Sequence, residues 1–131
     1  MDSFDADVLI YAAVDPDGRG APIRALFDGV ARGPVGLGSV LLLPELLSKP
    51  ARLGRTDELN ALRALLSRLL LLPTTQEVAA LAAGLGATYG MKAVDATHLA
   101  TAITGGADRF VTNNRRDFDA RIEEIEIAFP D

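Results

Sequence analysis

Val35-Gly36-Leu37-Gly38-Ser39-Val40-Leu41-Leu42-Leu43-Pro44-Glu45-Leu46-Leu47 is the stretch on which the fold turns. Residues 35–37 read as a short buried strand, and the segment from Ser39 to about Leu53 reads as a helix. Pro44 either interrupts the helical hydrogen-bond ladder or belongs to its first turn. A strand that runs directly into a helix is half of a βαβ unit, so the flanking segments should repeat the alternation.

They do. Upstream, residues 3–11 begin strand-like and apolar, and Asp15-Pro16-Asp17-Gly18 through Pro22 is turn chemistry. Ile23, Leu26, Phe27 and Val30 recur at helical spacing and close at Gly33-Pro34. Downstream, Leu59, Leu62, Leu65, Leu66 and Leu69 form one apolar stripe behind an expected cap at Thr56. Residues 70–72 read as a strand ended by Pro73. Thr75 caps a further helix that buries Val78, Leu81, Ala82 and Leu85 and stops near Gly90. Ala96, Leu99, Ala100 and Ile103 mark the next helix, ended by Gly105-Gly106, and residues 109–112 and 125–129 read as the last strands. The leucine stripes lack sustained heptads and are therefore assigned to the core. The whole predicts an α/β three-layer sandwich with a mostly parallel central sheet, one domain spanning residues 1–131.

Composition narrows the chemistry. There is no cysteine, which excludes disulfides, thiolate metal sites and cysteine nucleophiles, and the single His98 excludes any site needing two histidines. The start, with Asp2 and Asp5, does not read as a signal peptide, and the longest apolar run is too short to span a bilayer. A cytoplasmic protein with no membrane partner is expected. The formal net charge is −5, against the basic average common in nucleic-acid enzymes, so a polyanionic substrate would need cations at the site.

In an open parallel sheet, sites form beyond the carboxyl ends of the strands. Asp5 and Asp7 fall at the end of the first strand, Glu45 after the second, Asp95 near a helix start and Asp117 just after the strand over 109–112. Each acid has an ordinary use. Glu45 could pair with Lys49, Asp95 could cap its helix, Asp7 could cap a turn, and Asp117 could lie on the surface beside Arg115 and Arg116. Together they gather several carboxylates at one sheet edge. Such a group repels itself unless it holds a hard cation, and oxygen ligands suit Mg²⁺, with Mn²⁺ as a substitute.

Four motifs carry a family resemblance. Asp5-Ala6-Asp7-Val8-Leu9-Ile10-Tyr11-Ala12, Ser39 through Leu46, Asp95-Ala96-Thr97-His98-Leu99-Ala100, and Val111-Thr112-Asn113-Asn114-Arg115-Arg116-Asp117-Phe118 resemble, in order and spacing, the motifs of PIN-domain nucleases. In size the chain is similar to the VapC-type toxins of toxin–antitoxin pairs. The resemblance implies a flavodoxin-like α/β sandwich and a Mg²⁺-dependent endoribonuclease, usually a homodimer, inhibited by a cognate antitoxin protein. It implies Asp5, Glu45 and Asp95 as metal-binding acids, with Thr112 and Ser39 in support. Many relatives carry Asp where this chain has Asn114, so Asp117 is the expected fourth carboxylate and Asn114 a supporting residue; which of the two acts directly is open at this point. Asp7 reads as a supporting residue.

A divalent ion that activates water and clamps phosphate makes a side-chain nucleophile unnecessary. His98, three residues after Asp95, has either a ligand or base role or a packing role. Cations for gripping RNA would come from Lys49, Arg52, Arg55, Lys92, Arg115 and Arg116, with Tyr11 or Phe118 as the nearby aromatics. Two rivals stand beside this reading: a haloacid-dehalogenase-type phosphatase using Asp5 as nucleophile and Asp7 as acid/base, and a catalytically inactive PIN-fold binding module, which Asn114 would favour.

Overall fold

The computed structural model describes residues 1–130. Its elements run β1 (Asp2–Phe4), α1 (Ala6–Val14), α2 (Ala21–Asp28), β2 (Gly36–Ser39), α3 (Leu42–Arg52), α4 (Thr56–Leu66), β3 (Leu69–Leu72), α5 (Gln76–Tyr89), α6 (Ala93–Thr104), β4 (Arg109–Val111) and β5 (Glu126–Ala128). The sheet order is β3-β2-β1-β4-β5, and every pairing is parallel. The predicted α/β sandwich is therefore correct, with a sheet that is wholly rather than mostly parallel.

A parallel sheet must be covered on both faces, and the core divides accordingly. On one face Phe4, Val8, Leu9, Ile23, Phe27, Leu42, Leu46, Leu62 and Leu66 pack together, drawn from β1 and α1 to α4. On the other, Val78, Leu85, Leu99, Phe110, Phe118 and Ile125 form a second cluster around α5 and α6. Strand alternation sends neighbours to opposite clusters: Phe110 joins the second and Val111 the first. Gly36 lets β2 lie close to β1, because a Cβ there would sit 2.3 Å from the Asp2 carbonyl oxygen. Gly90 ends α5 in the left-handed region at φ 69°.

Several local expectations change. The strand-like opening over residues 3–11 is mostly helix, since β1 stops at Phe4 and Asp5 caps α1. Val8, Leu9 and Ala12 are buried while Ile10 is 38% exposed, a helical pattern within an apolar run that fits either period. Thr56 is the first residue of α4 and Arg55 occupies the cap position without a side-chain bond. Asp95 is not a cap either; Lys92 holds that place in α6. Thr75 does cap α5, accepting from the Val78 amide at 3.2 Å. Pro44 falls within the first turn of α3, where amides have no helical partner to lose, and Pro50 lies inside the same helix. Among the described residues no helix is long and apolar enough to cross a membrane.

Candidate active site

The chain leaves β1 for β2 and β3 on one side, then returns to place β4 on the other. This reversal opens a crevice beyond the carboxyl ends of β1 and β4, the usual ligand position in such sheets. The segments that follow β1, β2 and β4, together with the first turn of α6, deliver the acids named from sequence.

Asp5 is 5% exposed and follows β1 directly. One carboxylate oxygen accepts from the Ala6 amide at 2.8 Å, so the side chain caps α1. The other accepts from the Thr112 hydroxyl, 2.7 Å away across the β1/β4 junction. The same hydroxyl oxygen accepts from the Asn114 amide at 3.0 Å. Thr112 thus ties the loop after β4 to the acid after β1. Burial holds the Asp5 carboxyl above its ordinary range; the Thr112 bond opposes this, and the Asp95 charge adds to it.

Asp7, in the first turn of α1, accepts from the Asn113 amide at 3.1 Å. Its carboxyl is pushed up to about 6, first by burial and then by the Asp5 charge, with Glu45 contributing further. Asp95 is also raised, by burial and then by the Asp117 charge, with Glu45 adding to it and the nearby His98 and Lys92 partly offsetting it. Asp5, Asp7, Glu45, Asp95 and Asp117 therefore feel one another, as expected of acids facing a common space. Among the described residues no Lys or Arg forms an ion pair with Asp5, Asp7, Asp95 or Asp117.

At the fourth position the two candidates are hydrogen-bonded to each other. Asn114 accepts from the Asp117 amide at 3.1 Å and donates its own side-chain amide to the Asp117 carboxylate at 2.9 Å. Both ends of the Asn114 side chain are engaged in holding Asp117, which is half-buried and not simply a surface partner of Arg115 and Arg116. Ser39 is buried at the end of β2, and its hydroxyl oxygen accepts from the Leu41 amide at 3.1 Å. It shapes the turn into α3 that carries Glu45. Glu45 reaches across to His98 of α6, with Oε1 2.6 Å from Nε2, so its hydrogen-bond partner is His98, and among the described residues it forms no ion pair with Lys49.

Beside the acids lies a pocket of about 710 Å³ lined by Tyr11, Asp15, Arg19, Asn113 and Arg115. The Arg19 guanidinium donates to the Tyr11 hydroxyl at 2.9 Å and lies 5.2 Å from that ring's centroid; Arg115 stacks on Phe129 at 4.1 Å. Arg19 was not singled out from sequence, because nothing local marks an arginine in a turn as facing a site. Phe118 is fully buried against Phe110, which removes it as a stacking surface.

Mg²⁺ suits a set of oxygen donors and usually takes only one or two carboxylates, completing its shell with water and phosphate. Among the described residues no three His, Asp or Glu side chains already converge closely enough to hold an ion. The donors and their uncompensated charge fit such a cation in chemical terms.

Fold and site together define a parallel α/β protein with an acidic ligand crevice at the switch point of its sheet. The chain belongs to the PIN domain family, whose sequence profile matches residues 4–123. Three solved structures are similar over nearly their full length. A toxin–antitoxin complex from Klebsiella pneumoniae aligns at TM-score 0.76 and 24% identity, covering 100% of this chain and 98% of that one. VapBC2 from Rickettsia felis, bound to a DNA fragment from its promoter, gives 0.75 and 20%, covering 99% and 98%. DNA-bound VapBC from Salmonella typhimurium gives 0.77 and 23%, covering 98% and 96%. No curated protein sequence matches the chain at a significant level.

Proposed function

We propose that the chain is a Mg²⁺-dependent endoribonuclease, the toxin of a toxin–antitoxin pair, with Asp5, Glu45, Asp95 and Asp117 as its catalytic and metal-binding acids. The observation that carries this is electrostatic. Asp5, Asp7 and Asp95 are held above their ordinary range by burial and by neighbouring carboxylates, at the sheet's switch point, and among the described residues no Lys or Arg forms an ion pair with them. A fold that retains such repulsion at a ligand crevice is arranged for an external cation.

When bound, a divalent ion supplies positive charge for the phosphodiester and acidifies water for attack. The chain's own residues do the rest. Thr112 and the Ala6 amide fix both oxygens of Asp5. Asn114 holds Asp117, and the Asn113 amide holds Asp7, so the acids are oriented before substrate arrives. Arg19, Arg115 and Tyr11 offer the flanking pocket two guanidiniums and a ring, the chemistry that takes a phosphate and an adjacent base.

A phosphatase using Asp5 as nucleophile is disfavoured, because the chain matches the PIN domain family over residues 4–123. An inactive binding module loses its one argument, since Asn114 accompanies a carboxylate at Asp117 instead of replacing it. The antitoxin partner is supported by the toxin–antitoxin complexes among the structural neighbours; the homodimer rests on the family resemblance. Incubating the protein with single-stranded RNA tests the activity. Internal cleavage with Mg²⁺ that stops in EDTA is expected, and undiminished cleavage in EDTA would overturn the proposal.

A further inference from the structure

The candidate active site leaves one group unused. His98 is 1% exposed on α6, and its Nε2 lies 2.6 Å from Glu45 Oε1. Its other ring nitrogen, Nδ1, is buried and has no hydrogen-bond partner among the described residues. The two nitrogens together decide where the proton sits. A proton on Nδ1 alone would strand a donor and set the Nε2 lone pair against a carboxylate oxygen. Protons on both would satisfy Glu45 but still strand a buried N–H. A proton on Nε2 alone makes the bond to Glu45 and leaves only a buried lone pair unmet.

The bond also has a mechanical meaning. Glu45 lies on α3, whose Leu42 and Leu46 belong to one apolar cluster, and His98 lies on α6, whose Leu99 and Ala100 belong to the other. It therefore crosses between the two halves of the core. Asp95 sits one turn before His98 on the same helix, so fixing Glu45 to His98 fixes Glu45 relative to Asp95. Glu45 needs such a fixture, being 37% exposed on its side chain and able to swing.

We infer that His98 is the positioning residue for Glu45: its Nε2–H holds Oε1 and locks Glu45 at a set spacing from Asp95, where the carboxylate can meet a divalent cation. The hydrogen bond and tautomer stand by themselves; the cation rests on the function proposed above. The bond occupies Oε1 of Glu45.

Two measurements on the whole protein test this. Long-range ¹H–¹⁵N NMR of the cation-free wild type should show a protonated Nε2 and a bare Nδ1 on His98. A proton on Nδ1 would overturn the inference. Calorimetric titration with Mn²⁺ should show His98→Phe, which fills the site without a donor, weakening affinity about 10- to 100-fold. His98→Gln, which restores an N–H donor, should recover most of that loss. In a Glu45→Gln background, His98→Phe should have no further effect. Mn²⁺ affinity unchanged in His98→Phe, or a loss that persists in the Glu45→Gln background, would show that His98 does not act through Glu45. A wild type that binds no Mn²⁺ would overturn the cation reading, and the tautomer alone would then decide the bond.

Discussion

The two ends of β1 and β4 treat their acids in opposite ways. At the amino ends, Asp2 receives Arg109 through bonds of 2.7 and 3.1 Å, and the N-terminal ammonium meets Asp108 at 2.6 Å. At the carboxyl ends, Asp5 faces Thr112, and the nearby acids face one another. The consequence is electrostatic: the ammonium holds Asp108 below its ordinary range, whereas burial and like charge hold Asp5, Asp7 and Asp95 above theirs. The same strands thus carry matched charge where they only need joining and unmatched charge where the sheet opens a crevice.

If this contrast is real, substitutions at the two ends should have crossed effects. The largest is expected at the crevice. Asp5→Asn or Asp95→Asn should reduce Mg²⁺-dependent RNA cleavage at least about 100-fold, while the cation-free melting temperature stays level or rises because repulsion is relieved. Asn can still cap α1 at position 5, so the fold has no reason to fail. Asp2→Asn should do the reverse, leaving cleavage intact and lowering stability by about 1 kcal/mol or less, as partly exposed ion pairs do. Cleavage assays with thermal melts on the three variants check the crossing.

A smaller effect separates Asp117 from Asn114. Asp117→Asn should weaken Mn²⁺ binding more than Asn114→Ala, because the first removes charge and the second only loosens its holder. Calorimetry giving the reverse order would make Asn114 the direct ligand.

The mildest effect is on pH. The Asp7 carboxyl binds its proton more tightly in the folded protein, at about 6 against an ordinary 3.8. Its contribution is therefore fully present below pH 3.8 and is lost as pH rises towards 6. Asp108 has the opposite sign, stabilising as its proton leaves. Melting curves from pH 5 to 7 without divalent ions should fall for the wild type and fall less for Asp7→Asn, with Asp108→Asn following the wild type.

Much of this was legible in the chain. Alternating apolar periods and Gly/Pro punctuation predicted the parallel α/β order, and the rule that sites lie beyond strand ends picked out carboxylates that the fold gathers at one crevice. What escaped was either ambiguous or long-range. Val8-Leu9-Ile10 is apolar without a break, so only Asp5 capping and the packing of Val8 and Leu9 decide for a helix. The Glu45–His98 bond joins residues 53 apart in the chain, and no local pattern predicts it. The backbone amide of Asn113 holds Asp7, and a backbone donor has no sequence signature. Phe118 looked available from its place among polar neighbours, yet the second apolar cluster needed its ring.

The central claim is that the unmatched carboxylates await a divalent cation, and thermal melting with and without Mn²⁺ tests it most directly. Wild type should gain stability with Mn²⁺, by about 2.7 kcal/mol at 100 times the dissociation constant, whereas Asp95→Asn should melt no lower than cation-free wild type and gain little. An equal Mn²⁺ shift in both proteins, or none in either, would contradict the claim.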